Sequence, residues 1–262
     1  MASVSISAAN FSIRPISDFD EFAAHCSGLM DQAAGSDLIL FPELFTLELV
    51  TTLPDWQEQD VEFLTESDRF TADYMQFFAE QAKRRNQYIV AGSHLERRGE
   101  QYLNIGHLFG AQGEHYEHAK THIFPAESGW KTSEGDQMQA VELPFAKVGF
   151  NICYEAEIPE CASSLAEQGA ELILCPSYTF TEYGFWRVRH CAQARAIENQ
   201  VYFVHCSTGG QGAGPIPPGW TQSSILSPAD TPWTPKGLVS EAAGNEEGGG
   251  SRPPGLAGLP AK

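Results

Sequence analysis

Short apolar runs alternate with stretches of helical periodicity along most of the chain. Residues 3–10 form a mixed β-type run. Over 18–34, Phe19, Phe22, Ala23, Cys26 and Met30 recur at helical spacing, with Gly35 as the stop. The nearly all-apolar 37–42 predicts a short strand buried on both faces and ended by Pro42. The helical pattern returns over 68–85 through Phe70, Tyr74, Phe77, Phe78 and Ala82, and 88–92 reads as a second buried strand. Between 101 and 118, two strands flank the turn Gly110-Ala-Gln-Gly113. Segments 141–144 and 147–152 predict a further pair. Beyond Cys153 the pattern gives a helix at 159–168 with Pro159 in its first turn, a strand at 171–176, a helix at 185–199 and a strand at 201–206. Strands alternating with helices predict a layered α/β architecture in which helices cover sheet faces.

The segments without periodicity read as loops. The acidic run 55–68 is expected to be a solvated loop. Residues 208–219 are rich in Gly and Pro but lack the Gly-Lys-Ser/Thr ending of a phosphate loop, so a surface loop is expected. From Gly244 onward the chain is Gly- and Pro-rich. The organisation predicted is therefore one domain over 1–243 and a flexible tail over 244–262.

Composition narrows the partners. The 262 residues carry a formal charge of −18, which repels a phosphate backbone or an anionic membrane and disfavours both as main partners. Hydrophobic residues at 42% supply a full core, against intrinsic disorder. The start, Met-Ala-Ser-Val-Ser-Ile-Ser, lacks the cationic and long apolar stretches of a secretory signal, and no window approaches a membrane span. The six cysteines form no C-x-x-C pair, which argues against a disulfide framework or a zinc site. A cytoplasmic protein with reduced thiols is expected.

Three segments each place one reactive side chain at the end of a predicted strand: Leu40-Phe-Pro-Glu43, His118-Ala-Lys120-Thr-His-Ile-Phe-Pro125 and Gly149-Phe-Asn-Ile-Cys153-Tyr-Glu155. Ligands of open α/β sheets gather at the carboxyl ends of strands, so one cleft can receive all three. Taken singly, each has an ordinary reading: a small buried thiol, a solvated or capping carboxylate, a surface lysine. A metal site from His115 and His118 with Glu114 and Glu117 is disfavoured, because an i, i+3 pair on a strand points to opposite faces. His122 reads as a hydrogen-bonding residue, and Cys161, Cys175, Cys191 and Cys206 as core packing. Arg187, Arg189 and Arg195 share one predicted helix with Glu198, where ion pairs are expected.

Together and in this order, the three segments resemble the nitrilase superfamily of carbon–nitrogen hydrolases. Phe41-Pro-Glu43 resembles its glutamate motif, Lys120-Thr-His-Ile-Phe-Pro125 its lysine motif and Ile152-Cys-Tyr-Glu155 its cysteine motif. The likeness runs through Leu174-Cys-Pro-Ser177 and 189–199, and covers about residues 3–243. It implies a four-layer α-β-β-α sandwich with two mixed β-sheets, a homodimer or larger homo-oligomer, and a small-molecule amide substrate. It calls for no metal and no cofactor, since base, cation and nucleophile are all protein groups. The implied catalytic residues are Glu43, Lys120 and Cys153, with Glu127 at the position of the family's second glutamate and Glu134 as a more polar competitor.

A thiol is a weak nucleophile while protonated, so it needs a base and a cation beside it. Glu43 supplies the base and Lys120 the charge, a helix starting just after Cys153 would add a favourable dipole, and the Tyr154 backbone N–H would stabilise the oxyanion. Trp130, Tyr178, Phe180, Tyr183 and Trp186 are candidate pocket residues. The family's nitrilases carry Cys-Trp-Glu where this chain has Cys153-Tyr-Glu155, which favours a linear amide or carbamoyl bond over a nitrile. Nitrile hydrolysis, acyl transfer by the same residues and a non-catalytic binding or assembly role stand as the alternatives. The chain departs from the pattern after Glu247, where Gly-Gly-Gly-Ser-Arg-Pro-Pro-Gly replaces an expected strand and predicts no regular ladder from 248 onward.

Overall fold

The computed structural model describes residues 4–249. In chain order its elements are β1 (Ile6–Ile13), α1 (Phe19–Gln32), β2 (Leu38–Leu40), α2 (Thr71–Arg85), β3 (Tyr88–Arg98), β4 (Gln101–Phe109), β5 (His115–Ala119), β6 (Thr132–Ser133), β7 (Val141–Leu143), β8 (Ala146–Phe150), α3 (Pro159–Glu167), β9 (Leu172–Ser177), α4 (Glu182–Asn199), β10 (Tyr202–Gly210), β11 (Ser224–Leu226), β12 (Leu238–Glu241) and β13 (Gly248–Gly249). The strands pair along one path, β5-β4-β3-β2-β1-β10-β9-β8-β7, mixing parallel and antiparallel neighbours. The fold is mixed α/β with a large mixed set of strands, whose two halves join between β1 and β10.

The join is local. Ile6, Ser7 and Ala8 of β1 pair in parallel with β2, whereas Phe11, Ser12 and Ile13 pair with Thr208, Ser12's neighbour Gly209, and Gly210 of β10. The two halves of the path therefore meet only where β1 and β10 end. Residue alternation sorts most of the sheet-facing core into three of four clusters. Leu38 and Leu40 face a cluster shared with Val148, Phe150, Leu172, Leu174 and Val204 of the other half. Ile39 points the opposite way, into a cluster with Phe22 and Met30 of α1 and Tyr74 and Phe78 of α2. On the other half, Ile173, Cys175 and Phe203 pack under Leu165 of α3 and Val188 and Ala192 of α4. Each large apolar side chain so buried contributes about 1.5–3 kcal/mol relative to exposure.

Helix α1 starts where Asp18 accepts from the Glu21 N–H at 2.9 Å, as an N-cap does. No helix among the described residues is long and apolar enough to cross a membrane.

Four expectations change. The acidic run 55–68 is not plain loop: it folds into 3-10 turns at Trp56–Glu58 and Val61–Phe70, because Leu64, Thr65 and Ser67 bury one side of it. The start of 208–219 is buried strand, since Thr208, Gly209 and Gly210 complete β10. Cys191 is half-buried rather than core. Residues 244–249 of the expected tail are held in place. The Asn10 amide donates to the Ala243 and Glu246 carbonyls at 3.0 and 2.9 Å, Glu247 pairs with His25 at 2.7 Å, and Gly248 and Gly249 pair with Asn10 and Ala9. Glycine lacks β-propensity, but two rungs on an existing strand do not require it. The remainder of the expected tail lies outside the described residues.

Candidate active site

The carboxyl ends of β2, β5, β8 and β9 open on one cavity, and the residues that follow these strands line it. After β2, Pro42 ends the ladder and Glu43 turns inward. Gly92 of β3, at φ +59, allows the close approach this needs: an added Cβ there would fall inside contact distance of the Pro42 carbonyl oxygen. The strand pairing shifts register at this point, and Ser93 donates to the Pro42 carbonyl and accepts from the Leu44 N–H, clamping the turn. After β5, the Lys120 backbone is fixed on both sides, its N–H donating to the Asn104 carbonyl at 2.9 Å and its C=O accepting from Gly135 at 2.8 Å. After β8, Cys153 has φ +48, a left-handed conformation that a non-glycine residue holds only when its surroundings impose it.

Glu155 imposes it. Its buried carboxylate accepts from the Ile152 N–H at 2.6 Å, the Thr121 N–H at 2.7 Å, the Thr121 hydroxyl at 2.6 Å and His118 Nε2 at 3.0 Å. Burial opposes its charge, but His118 and the Thr121 donors outweigh that and hold its pKa below the usual carboxylate range. Glu155 thus ties the Cys153 turn to the segment carrying Lys120.

The central group is a buried ion cluster. Lys120 Nζ donates to Glu43 Oε1 at 2.7 Å and Glu127 Oε2 at 2.6 Å. Asn104 Nδ2 bridges the same carboxylates at 2.9 and 3.0 Å. The second oxygen of Glu43 accepts from the Tyr178 N–H at 2.7 Å, and Glu127 accepts from the Phe124 N–H at 2.7 Å. Burial works against the Lys120 charge, yet Glu127 and Glu43 outweigh it and hold its pKa well above the ordinary lysine value. Burial raises the pKa of Glu43; Lys120 pulls it down and Glu127 pushes it up, and the net is a rise. Burial, with Glu43 beside it, also raises Cys153 far above an ordinary thiol. Cys153 therefore rests as a protonated thiol, 3.7 Å from the Tyr178 carbonyl oxygen, in a cavity it shares with a carboxylate made more basic than usual.

Glu43, Lys120, Cys153 and Glu127 all line this cavity, together with Trp130 and Tyr178. Tyr154 does not; its ring reaches the site through Phe124, with centroids 5.7 Å apart. Phe180 lines the cavity, whereas Tyr183 is 89% exposed and Trp186 packs against His190 and Trp220. Glu134 is exposed and accepts from Ile123 outside the cluster. The helix expected just after Cys153 is a five-residue 3-10 turn, and α3 begins only at Pro159. Asn104 and the clamp role of Glu155 were not foreseen. The one signal for Asn104 was an amide between the apolar Leu103 and Ile105 of a strand.

His115 and His118 face apart, as their spacing required: His115 meets His107 at 2.9 Å, and His118 meets Glu155. The strand pairing does bring ligand atoms of His107, His115 and Glu117 within 4.8 Å of one another. These groups are already engaged, His107 with Glu96 and Glu117 with Arg98.

Residues 5–239 match the profile described as carbon-nitrogen hydrolase. The chain belongs to the carbon-nitrogen hydrolase family. The probable hydrolase YhcX of Bacillus subtilis is 36% identical over 254 residues, which are 93% of this chain and 48% of that protein, so the chain spans about half the length of this relative. The omega-amidase NIT2 of Mus musculus is 27% identical, covering 87% of this chain and 80% of that protein. In fold, the chain is similar to Saccharomyces cerevisiae Nit3, of the nitrilase superfamily, with TM-score 0.72, 21% identity and coverage of 95% and 88%. An amidase from Nesterenkonia sp. has TM-score 0.73 and 20% identity, with coverage of 94% and 88%.

Proposed function

We propose that this carbon-nitrogen hydrolase cleaves the non-peptide C–N bond of a small linear amide or carbamoyl compound through a thioester on Cys153. The observation that carries the reading is the buried Glu43–Lys120–Glu127 cluster lining one cavity with a thiol held at positive φ. A raised Glu43 pKa suits a general base working near neutrality.

The Cys153 proton passes to Glu43 as sulfur bonds to the carbonyl carbon, so no free thiolate has to persist in the buried site. The oxyanion is held by Lys120 and the Tyr154 backbone N–H. As the intermediate collapses, Glu43 returns the proton to the departing nitrogen, and ammonia or an amine leaves. Glu43 then takes a proton from water attacking the thioester. Collapse of the second intermediate releases the acid, and the sulfur recovers its proton from Glu43. Glu127 keeps Lys120 charged and in place. A solved structure of a variant of the Nesterenkonia amidase shows the acetamide moiety of fluoroacetamide added at its active-site cysteine, which supports a sulfur nucleophile in this fold.

Three of the core clusters fit four α-β-β-α layers, with the shared cluster between the two halves of the strand path. A homodimer paired through α4 accounts for the exposed Tyr183 and Ile197 on that helix. The test is incubation with short aliphatic amides, ω-amides and carbamoyl amines, scored by ammonia release and by intact mass. Acylated Cys153, and loss of turnover in Cys153→Ala, are expected. Full hydrolysis by Cys153→Ala, or turnover of nitriles in preference to amides, overturns the proposal.

A further inference from the structure

Beside the ion cluster lies a space of about 180 Å³, lined by Cys153 and by two charged side chains, Glu157 and Arg187. This is below the roughly 300 Å³ at which drug-sized ligand sites begin, so the acyl group must be small. Arg187 Nε donates to Glu157 Oε2 at 2.8 Å. The guanidinium is half-exposed and lies 5.8 Å from the ring centroid of Phe124, whereas the Glu157 side chain is only 14% exposed. Thr179 lines the same space, and its buried hydroxyl has no hydrogen-bond partner among the described residues. The wall otherwise includes Tyr178, Phe180 and Val188. A buried hydroxyl without a partner and an ion pair at the mouth make a poor match for a purely apolar acyl chain.

We infer that the Glu157–Arg187 pair selects substrates whose end remote from the scissile amide carries both an ammonium and a carboxylate, as in the ω-amide of an α-amino acid. This rests on the hydrolase reading above. The argument is one of exchange. A carboxylate alone meets Arg187 with Glu157 still beside it and is repelled. An ammonium alone displaces Arg187 from Glu157 and replaces one contact with an equivalent one. A zwitterion gives Glu157 and Arg187 a partner each, keeps the wall neutral, and leaves Thr179 in position to bond a charged end group. Cys153 and Glu157 are the first and last residues of one 3-10 turn, and both line this space.

The experiment compares four amides of equal length: pentanamide, 5-aminopentanamide, glutaramate and L-glutamine. Ammonia release gives kcat/KM, and calorimetry on Cys153→Ala gives Kd without chemistry. L-Glutamine is expected to exceed each of the other three about tenfold in both measurements. Glu157→Gln and Arg187→Gln are each expected to bring the glutamine-to-pentanamide ratio below about threefold, a selectivity change that simple destabilisation does not produce. Pentanamide or glutaramate matching glutamine, or a ratio unmoved in both variants, overturns the inference. If no amide is turned over, the hydrolase reading fails; tenfold tighter binding of glutamine to Cys153→Ala still upholds the selectivity, and equal or absent binding refutes it.

Discussion

Asn104 is the residue whose replacement tests the ion cluster most directly. It is fully buried on β4, and its amide nitrogen bridges the two carboxylates that face Lys120. Leucine is nearly isosteric, so Asn104→Leu removes two hydrogen bonds without opening a cavity. Hydrogen bonds to charged groups contribute about 1.5–3 kcal/mol each, giving a loss of about 3–6 kcal/mol. Part is recovered, because Asn104 Oδ1 is buried without a partner among the described residues and its removal relieves about 1–3 kcal/mol. The net destabilisation is about 3 kcal/mol, or about 10 °C in Tm for a chain of this size. Activity is expected to fall by about 10- to 100-fold, because Glu43 loses a fixed partner and its carboxylate can swing away from the sulfur. Thermal and urea unfolding, run beside amide hydrolysis at a temperature where the variant stays folded, read both effects. A variant within about 1 kcal/mol of the parent and fully active would show that the bridge neither stabilises nor positions the carboxylates, and the reasoning about the cluster would fall with it.

Three further outcomes are expected. Since Glu43 has a raised pKa and must be ionised to act, hydrolysis should fall on the acid side at a pH above that of an ordinary carboxylate; a profile flat down to the ordinary range would remove Glu43 as the base. His25 lies buried between Glu48 and Glu247; burial lowers its pKa, but the two carboxylates outweigh that and raise it from 6.5 to about 9. Its contribution to stability is thus complete below pH 6.5 and is lost as pH rises through about 9, so denaturation midpoints should decline over that window and His25→Gln should flatten the decline. Gly92→Ala combines positive φ with a clash on the Pro42 carbonyl oxygen, and should destabilise by about 3 kcal/mol or more and disturb Glu43; a soluble, active Gly92→Ala protein of parental Tm would refute that account of the turn.

Hydrophobic spacing along the chain was enough to locate the principal elements, because the period of a helix or a buried strand is a local property. Helices α1, α2, α3 and α4 and strands β2, β9 and β10 fall where Met30, Phe78, Leu165, Val188, Ile39, Ile173 and Phe203 alternate or recur. Glu43, Lys120 and Cys153 were legible only together: each lies within three residues of a strand end, where an α/β sheet exposes side chains to a cleft, but singly each had an ordinary reading, and it was the order of the three motifs that resembled a known family. What no local pattern contained was partnership. Asn104 reads as a polar residue between Leu103 and Ile105 until β4 sets its amide between two carboxylates from other elements. Glu155 reads as part of a motif until folding brings Thr121 and His118 to it. The glycines at 248 and 249 have no strand propensity of their own and pair because Ala9 and Asn10 lie between the rungs that β1 makes to β2 and to β10. Protonation follows the same division: the residue types give ordinary values, but burial and the number of charges sharing the cavity decide that the thiol stays protonated, the lysine charged and the carboxylate basic. Order along the polymer records which groups are available, while desolvation and proximity, which exist only once the chain has closed on itself, determine what those groups do.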